Sequence, residues 1–348
     1  MSVTEFARNL FYEQYCLSIP KPTDSFSHKT VIITGANTGL GKEAARHISR
    51  LGCTRLILGV RNTTAGEEAR KEILATTSAP ESGIAVWKVD LGSFDSVAEF
   101  VKRAFRELDR LDVLICNAGI NTKQFAEAEG HERMLTVNVL STYLMASRLL
   151  PLLEKTAAVG PVAGDPDPRP PHLSIVCSDT HLLSKFPERN ESPDKILAAI
   201  TANCKNDSSR FGRQYPTSKL LVILLVRDMV YRQKRSGPST GINAAAKPQE
   251  KCPVIINAPN PGLCHSNLTR EMPGFAVRVI KTIFRARPTE MGGGALVNAA
   301  SAGWETNGQY LSSSIVQKGG ASTWDSALGE KLCTAVEEYL KTVDTTGH

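Results

Sequence analysis

Residues 30–41, TVIITGANTGLG, decide how this chain is read. The run Thr30–Thr34 is β-branched throughout and reads as a strand. It passes directly into Gly35-Ala36-Asn37-Thr38-Gly39-Leu40-Gly41, and from Lys42 onward the pattern is helical. Three glycines in a strand-to-helix turn let the backbone come close to a ligand. The helix start adds free N–H groups and a positive dipole end, which suit a pyrophosphate. Such a turn can also merely connect two elements. Its place after the first strand of an alternating chain favours the dinucleotide reading.

Outward from that turn, short β-rich runs alternate with helical stretches. Thr30–Thr34, Arg55–Val60, Ile84–Val89, Asp112–Cys116, Leu173–Cys177 and Pro253–Ala258 read as strands. Several are apolar almost without break, as in a parallel sheet buried on both faces. Helices are expected near 39–51, 64–76, 93–108, 129–155 and 215–235. The alternation predicts an α/β fold: a single doubly wound (Rossmann) parallel sheet with helices on both faces. Residues 1–28 form an N-terminal extension, 29–325 the main domain, and 326–348 a C-terminal helix and tail. The segments 157–172 and 236–251, rich in Pro, Gly, Ser, Ala or Asp, are expected to be mobile surface loops.

Composition narrows the function classes. The 348 residues are 41% hydrophobic and 22% charged, enough for a full core and unlike a disordered chain. The formal charge of +6 is mild and its basic residues are scattered, which argues against a nucleic-acid platform. Eight cysteines show no metal-ligand spacing and read as free thiols in a reducing, cytoplasmic setting. The longest apolar run, Leu220–Val226, falls far short of the roughly 18 residues that a membrane span needs. The stretch Phe6–Tyr15 reads as an amphipathic helix packed on its own domain, with a membrane surface as the alternative.

The T-G-x-x-x-G-x-G spacing at Thr34–Gly41 resembles that of the short-chain dehydrogenase/reductase family, and the resemblance extends over roughly residues 28–316. It implies that Gly35, Asn37, Thr38, Gly39, Leu40 and Gly41 line a nicotinamide dinucleotide. Asp90, with Leu91 beside it, matches the adenine contact. Asn117-Ala118-Gly119 matches the N-A-G that closes the fourth strand, and Pro261-Gly262 the turn beside the carboxamide. Ser266 stands where the family usually has Thr. Within the family, the stretches around Glu129–Leu150 and Ser178–His181 look most like the retinol-dehydrogenase-like and fungal metabolite-tailoring branches. The second strand ends Gly59-Val60-Arg61-Asn62, without the acidic residue of NAD-selective sites. Arg61 there can pair with a 2′-phosphate, so NADP(H) is the expected cofactor, with a solvated loop arginine as the plainer reading.

Tyr215-Pro216-Thr217-Ser218-Lys219 opens the long apolar helix, with Tyr215 and Lys219 on one face. A phenol is a poor proton donor at neutral pH unless a cation stabilises its phenolate, and Lys219 suits that role. By the resemblance, Lys219 also bonds the nicotinamide ribose, Ser178 orients the substrate oxygen, and Asn138 anchors a water in the proton relay. Taken singly, a serine ending a strand or an asparagine within a helix can simply satisfy local backbone groups. Tyr215 lies 37 positions after Ser178, whereas many relatives place the pair much closer. The inserted segment 183–214, read as a loop insertion with a helical stretch at Ile196–Cys204, puts the usual quaternary contacts in doubt. It favours a monomer over a dimer.

The expected function is NADPH-dependent reduction of a ketone or aldehyde, or the reverse oxidation, on a bulky apolar small molecule, with a secondary metabolite among the candidates. A non-redox cyclase or ligand-binding protein on the same fold is the rival. Residues 263–287 are read as a substrate lid, with an apolar stripe at Leu268, Met272, Phe275, Val279, Ile280, Ile283 and Phe284; a stripe packed on the core is the alternative. His265 is read as a loop residue and the basic run Arg227–Arg235 as a solvated helix end.

Overall fold

The computed structural model describes residues 3–236, 252–266, 268, 271 and 274–343. Helix α1 (Val3–Cys16) precedes β1 (Thr30–Thr34), α2 (Gly39–Arg50), β2 (Arg55–Val60), α3 (Thr63–Leu74), β3 (Ile84–Lys88), α4 (Phe94–Glu107) and β4 (Val113–Cys116). A small hairpin, β5 (Glu127–Ala128) with β6 (His131–Glu132), leads through α5 (Arg133–Leu135) and a π-helical turn at Thr136–Leu140 into α6 (Ser141–Val159). Then come β7 (His172–Ile175), α7 (Pro193–Asn206), α8 (Ser208–Phe211), α9 (Gln214–Ser236) and β8 (Ile255–Asn260). The chain closes with α10 (Gly274–Ile283), α11 (Thr289–Ala299), β9 (Tyr310–Ser312), β10 (Ile315–Gln317) and α12 (Ser326–Val343).

Eight strands form one sheet in the order β10-β9-β8-β7-β4-β1-β2-β3. All neighbours are parallel except β10, which runs antiparallel along β9. The order reverses between β1 and β4, the crevice where doubly wound sheets bind ligands. Alternation along the strands sorts two cores. Val31, Ile33, Leu56 and Leu58 pack with Ala44 and Ile48 of α2 and Leu296 of α11. Ile32, Ile57 and Leu114 pack on the other face with Phe100 of α4, Leu149 of α6 and Leu221 of α9. Burial on both faces is why these strands are continuously apolar rather than alternating.

The structure adjusts several expectations. The sheet has β9 and β10 beyond the six expected strands; at three residues each they are too short for a period to show. β8 begins two residues later than expected and runs through Pro259. The expected helix near 129–155 starts as a hairpin turn, with Glu129 and Gly130 at positive φ, and runs on to Val159. The segment 183–214 is not a loop: α7 buries Ile196, Leu197, Ile200 and Cys204, and it packs against α12. Helix α12 buries Leu328, Leu332, Cys333 and Val336 in the same core, so it belongs to the main body.

The segment 157–172 is fastened rather than mobile. Lys29 pairs with Asp165, both side chains almost fully buried. The Arg169 guanidinium lies 5.1 Å over the Phe26 ring and bonds Ser25 O, and it also reaches Ser301 O at 3.3 Å. Its composition misled because charged groups, not apolar ones, hold it. The same holds for the basic run at the end of α9. Arg227 bonds Thr323 and stacks 3.6 Å over Trp324, and Arg232 bonds Glu337 at 2.8 Å, so neither is a purely solvated charge. Of the segment 236–251, residues 237–251 lie outside the described residues.

Candidate active site

The site lies at the C-terminal edge of the parallel strands, where loops after β1, β4, β7 and β8 converge. Gly35, at φ +67°, starts the turn after β1, and a Cβ there would come 3.0 Å from Ala118 Cα. A Cβ on Gly41 would meet Gly35 O at 2.5 Å, so the first turn of α2 can close on the strand only with glycine. A Cβ on Gly39 would meet nothing nearer than Ser266 Cβ at 4.0 Å. The turn is therefore packed tightly from below and open above, a cradle that fits a pyrophosphate at the free N–H groups of α2. Thr38 is the residue before the helix and makes no side-chain cap.

Asn117 braces this cradle: its Nδ2 donates to Thr34 O at 2.9 Å, while Ala118 N donates to Thr34 Oγ1 at 3.0 Å. Asp90 follows β3 and accepts from Gly92 N at 2.9 Å, with Leu91 buried beside it. Arg61 stands exposed just past β2, and its neighbour Asn62 caps α3 by accepting from Ala65 N at 3.1 Å. On the far side Gly262, at φ +76°, donates its N–H to Asn260 Oδ1 at 3.1 Å. Pro261 is buried, and Ser266 N donates to Cys264 O at 2.9 Å. His265 is exposed, as a loop residue should be.

The catalytic candidates come together. Ser178 lies three residues past β7 and starts a 3-10 turn. Tyr215 sits in the first turn of α9, buried, with Pro216 after it. Burial and the neighbouring Cys177 push its phenol above the ordinary range, and the Ser178 hydroxyl pulls it the other way. The Lys219 ammonium lies 5.7 Å from the Tyr215 ring centroid and donates to Val176 O at 2.8 Å. Burial lowers the Lys219 pKa. Asn138 lies in the π turn, a widened helical geometry common at functional sites. Its Oδ1 accepts from Ile120 N at 2.8 Å; its Nδ2 donates to Ile120 O at 2.9 Å and to Ser218 Oγ at 3.1 Å. Its side chain thus ties the loop after β4 to α9. Gly119 leaves room for this, since a Cβ there would sit 3.2 Å from Asn138 Oδ1.

Four residues shape the site without having been assigned a role from the sequence. Arg287 is buried; it donates to Ser313 Oγ at 2.7 Å, Pro261 O at 3.4 Å and Leu17 O at 3.0 Å. His181 holds the Ser178 carbonyl through Nδ1 at 2.7 Å and accepts from Gly320 N at Nε2, which fixes its tautomer. Burial lowers its pKa to about 4. Asp179 and Glu13 stand behind Ser178. None has a spacing signal; Arg287 and Glu13 act through contacts far apart in the chain, while Asp179 and His181 are sequence neighbours of Ser178.

The expected lid is partly described. Its helix, α10, turns Phe275, Val279, Ile280 and Ile283 to solvent, with Phe275 82% exposed, so the stripe is not packed on the core. Leu268 does pack against the core, and Met272 lies outside the described residues. α1 rests on this side of the molecule, its Tyr15 hydroxyl donating to Ile283 O at 2.7 Å. Leu10 and Gln14 of α1 are buried, as expected for a helix packed on its own domain, while Phe11, Tyr12 and Tyr15 face outward. No helix among the described residues is long and apolar enough to cross a membrane.

Comparison with known proteins agrees with this geometry. The family model for short chain dehydrogenases matches residues 29–162. A short chain dehydrogenase/reductase of Cryptosporiopsis sp., dmxR8, is 41% identical over 302 residues, covering 86% of each chain. The short chain dehydrogenase sol3 of Alternaria solani is 38% identical and covers 88% of this chain and 98% of its own. Among solved structures, the Pseudomonas aeruginosa RhlG/NADP active-site complex superposes with a TM-score of 0.56 at 19% identity, covering 83% of this chain and 95% of that one. The chain belongs to the short-chain dehydrogenase/reductase family and is an oxidoreductase with a Rossmann sheet.

Proposed function

We propose that this protein is an NADPH-dependent reductase of a ketone or aldehyde, able to run in reverse as an alcohol dehydrogenase. The observation that carries this reading is the meeting of Tyr215, Ser178 and Lys219 beside the glycine cradle, at the switch point of the sheet. Gly35, Asn37, Thr38, Gly39, Leu40 and Gly41 would hold the pyrophosphate, Asp90 and Leu91 the adenine side, and Asn117, Ala118 and Gly119 the nicotinamide side. Pro261, Gly262 and Ser266 would close over the carboxamide. Arg61, exposed and cationic past β2, would pair with a 2′-phosphate. When bound, the dinucleotide supplies the hydride.

The chain's own residues supply the rest. Burial keeps Tyr215 protonated, so a proton is present for a developing alkoxide, but it also makes that proton harder to release, and a nearby cation has to offset the cost. Lys219 places positive charge beneath the phenol and stabilises the phenolate that donation leaves. Ser178 offers its hydroxyl to the same substrate oxygen and spreads its negative charge. Asn138 holds the loop that carries Gly119 against α9, keeping Lys219 in register. Residues 263–287 act as the lid; the exposed apolar stripe of α10 suits a bulky apolar substrate, consistent with tailoring of a secondary metabolite in a fungal setting. The packing of α7 and α12 against the long helices favours a monomer, which light scattering tests; a stable tetramer would contradict it.

The test is consumption of NADPH in the presence of a panel of aromatic and aliphatic carbonyl compounds. Loss of NADPH absorbance with at least one of them supports the reading. Tight NADPH binding with no consumption across the panel would favour a non-redox binder or cyclase.

A further inference from the structure

The serine assigned to the substrate oxygen has a carboxyl group on its other side. Ser178 Oγ lies 3.1 Å from Asp179 Oδ1, and it accepts from Thr180 N at 3.2 Å and Thr180 Oγ1 at 3.0 Å. A serine hydroxyl has a single proton. While that proton points at an ionised Asp179, it is not available to an oxygen beside Tyr215.

Asp179 is buried, and a second carboxyl group stands near it from a distant part of the chain. Helix α1 brings Glu13, whose Oε2 is buried without a hydrogen-bond partner. The Tyr310 hydroxyl of β9, also buried and unpartnered, faces both acids. The helix is bolted in place by Gln14 Nε2 to Leu263 O at 2.8 Å and by Arg287 to Leu17 O at 3.0 Å and to Glu13 O. Two carboxyl groups in such surroundings do not both ionise at neutral pH. Burial and then Asp179 push Glu13 up to about 7, with Ser312 and Arg287 acting against them. Burial likewise raises Asp179, against its bonds to Ser178 and Thr180. The other titratable groups facing Asp179 are Cys177 on its own segment, Tyr215 of α9, Tyr310 of β9 and Cys264 after β8. The cations around these groups are Arg287, which acts on Glu13 and Cys264, Lys281, which acts on Cys264, and Lys219, which acts on Cys177.

We propose that Asp179, backed by Glu13, is a positioning residue that sets the direction of the Ser178 hydroxyl. Protonated, Asp179 takes the place of the rotatable Thr180 hydroxyl as a donor to Ser178 Oγ, Thr180 N keeping the other lone pair, and the serine proton turns toward the substrate oxygen; ionised, Asp179 captures that proton and idles the serine. The role rests on the reductase reading, in which Ser178 acts on that oxygen. It also gives α1, which lies outside the family-model match, a part in catalysis.

Infrared titration of the full-length protein, with neither cofactor nor substrate, reads protonated carboxyl groups directly. The expected result is a band at neutral pH that is reduced by Asp179→Asn and shifted in frequency by Ser178→Ala. In Glu13→Gln the remaining Asp179 band should vanish at a lower pH, because a neighbouring negative charge has been removed. A band indifferent to Asp179→Asn overturns the proposal, as does an unshifted Asp179 titration in Glu13→Gln.

Turnover of NADPH with 4-nitrobenzaldehyde as probe gives the second readout. Asp179→Asn should lose the alkaline fall of kcat, and Glu13→Gln should move that fall to lower pH. Coincident profiles for wild type and both variants overturn the proposal. Should Tyr215→Phe keep its turnover, the reductase reading falls and the infrared result still stands on its own. If Tyr215→Phe is inactive while the profiles coincide, only the carboxyl proposal falls.

Discussion

The half of the molecule that would hold the dinucleotide and the half that would hold the substrate are built differently. In the first, β1 to β4 and their helices make a compact α/β unit whose site contacts are local to strand ends: Asn117 to Thr34, Ala118 to Thr34, Asp90 to Gly92. In the second, α1 and the segment after Pro261 are joined by contacts across the whole chain, such as Arg287 to Leu17 and Gln14 to Leu263. A pyrophosphate held by backbone N–H groups needs a cradle of fixed spacing. A substrate pocket has no such constraint, and its specificity can be carried by additions at the ends and in loops.

The largest effect that separates the two halves is at Tyr215. Tyr215→Phe removes the proton donor and keeps the ring, so kcat should fall on the order of 10²–10⁴-fold. NADPH affinity, measured by fluorescence quenching, should change little; a joint loss of both would erase the division between the halves. Arg61→Asp probes the opposite side. Loss of a charge-assisted bond of roughly 1.5–3 kcal/mol should weaken NADPH by about 10- to 100-fold and NADH less, with turnover of the bound complex preserved. Equal effects on both cofactors would remove Arg61 from the 2′-phosphate.

A smaller effect concerns the docking of α1. Glu13 keeps its proton up to about pH 7 in the folded chain, against 4.5 as its ordinary value. The folded state thus binds more protons between those values, so this group's contribution to stability is complete below pH 4.5 and is lost as pH rises through 7. Glu13→Gln should therefore gain on wild type as pH rises, by about 1 kcal/mol or more at alkaline pH. Thermal unfolding at several pH values checks this, and a gain that does not grow with pH would contradict it. The mildest effect is at the lid. NADPH should slow tryptic cleavage at Arg278 and Lys281, both on α10, while cleavage elsewhere is unchanged. Equal rates with and without NADPH would make α10 fixed scaffold.

Much of the first half was legible from residue order alone. The strand-glycine-helix sequence at 30–41 and the β-branched runs report local geometry, and local geometry is what spacing encodes. Tyr215 and Lys219 were legible for the same reason, as neighbours on one helical face. Arg287, His181 and Glu13 were not, because their meaning lies in partners far along the chain. Likewise the segment 157–172 looked like a free loop because its fastening is ion pairs, guanidinium hydrogen bonds and one stacked guanidinium, none of which leaves an apolar pattern. The strands β9 and β10 complete the sheet with three residues each, below the length at which a period can be read.

If hydride and proton pass to a carbonyl group at this site, the hydride itself can be followed from cofactor to product. NADPH carrying deuterium at the transferable position of its nicotinamide would be mixed with the protein and a carbonyl that it consumes, and the product alcohol examined by NMR. The expected result is deuterium on the carbinol carbon, one for each cofactor oxidised, and a rate that collapses in Tyr215→Phe. Deuterium retained in the cofactor, or alcohol formed without it, would rule out hydride transfer to a carbonyl at this site.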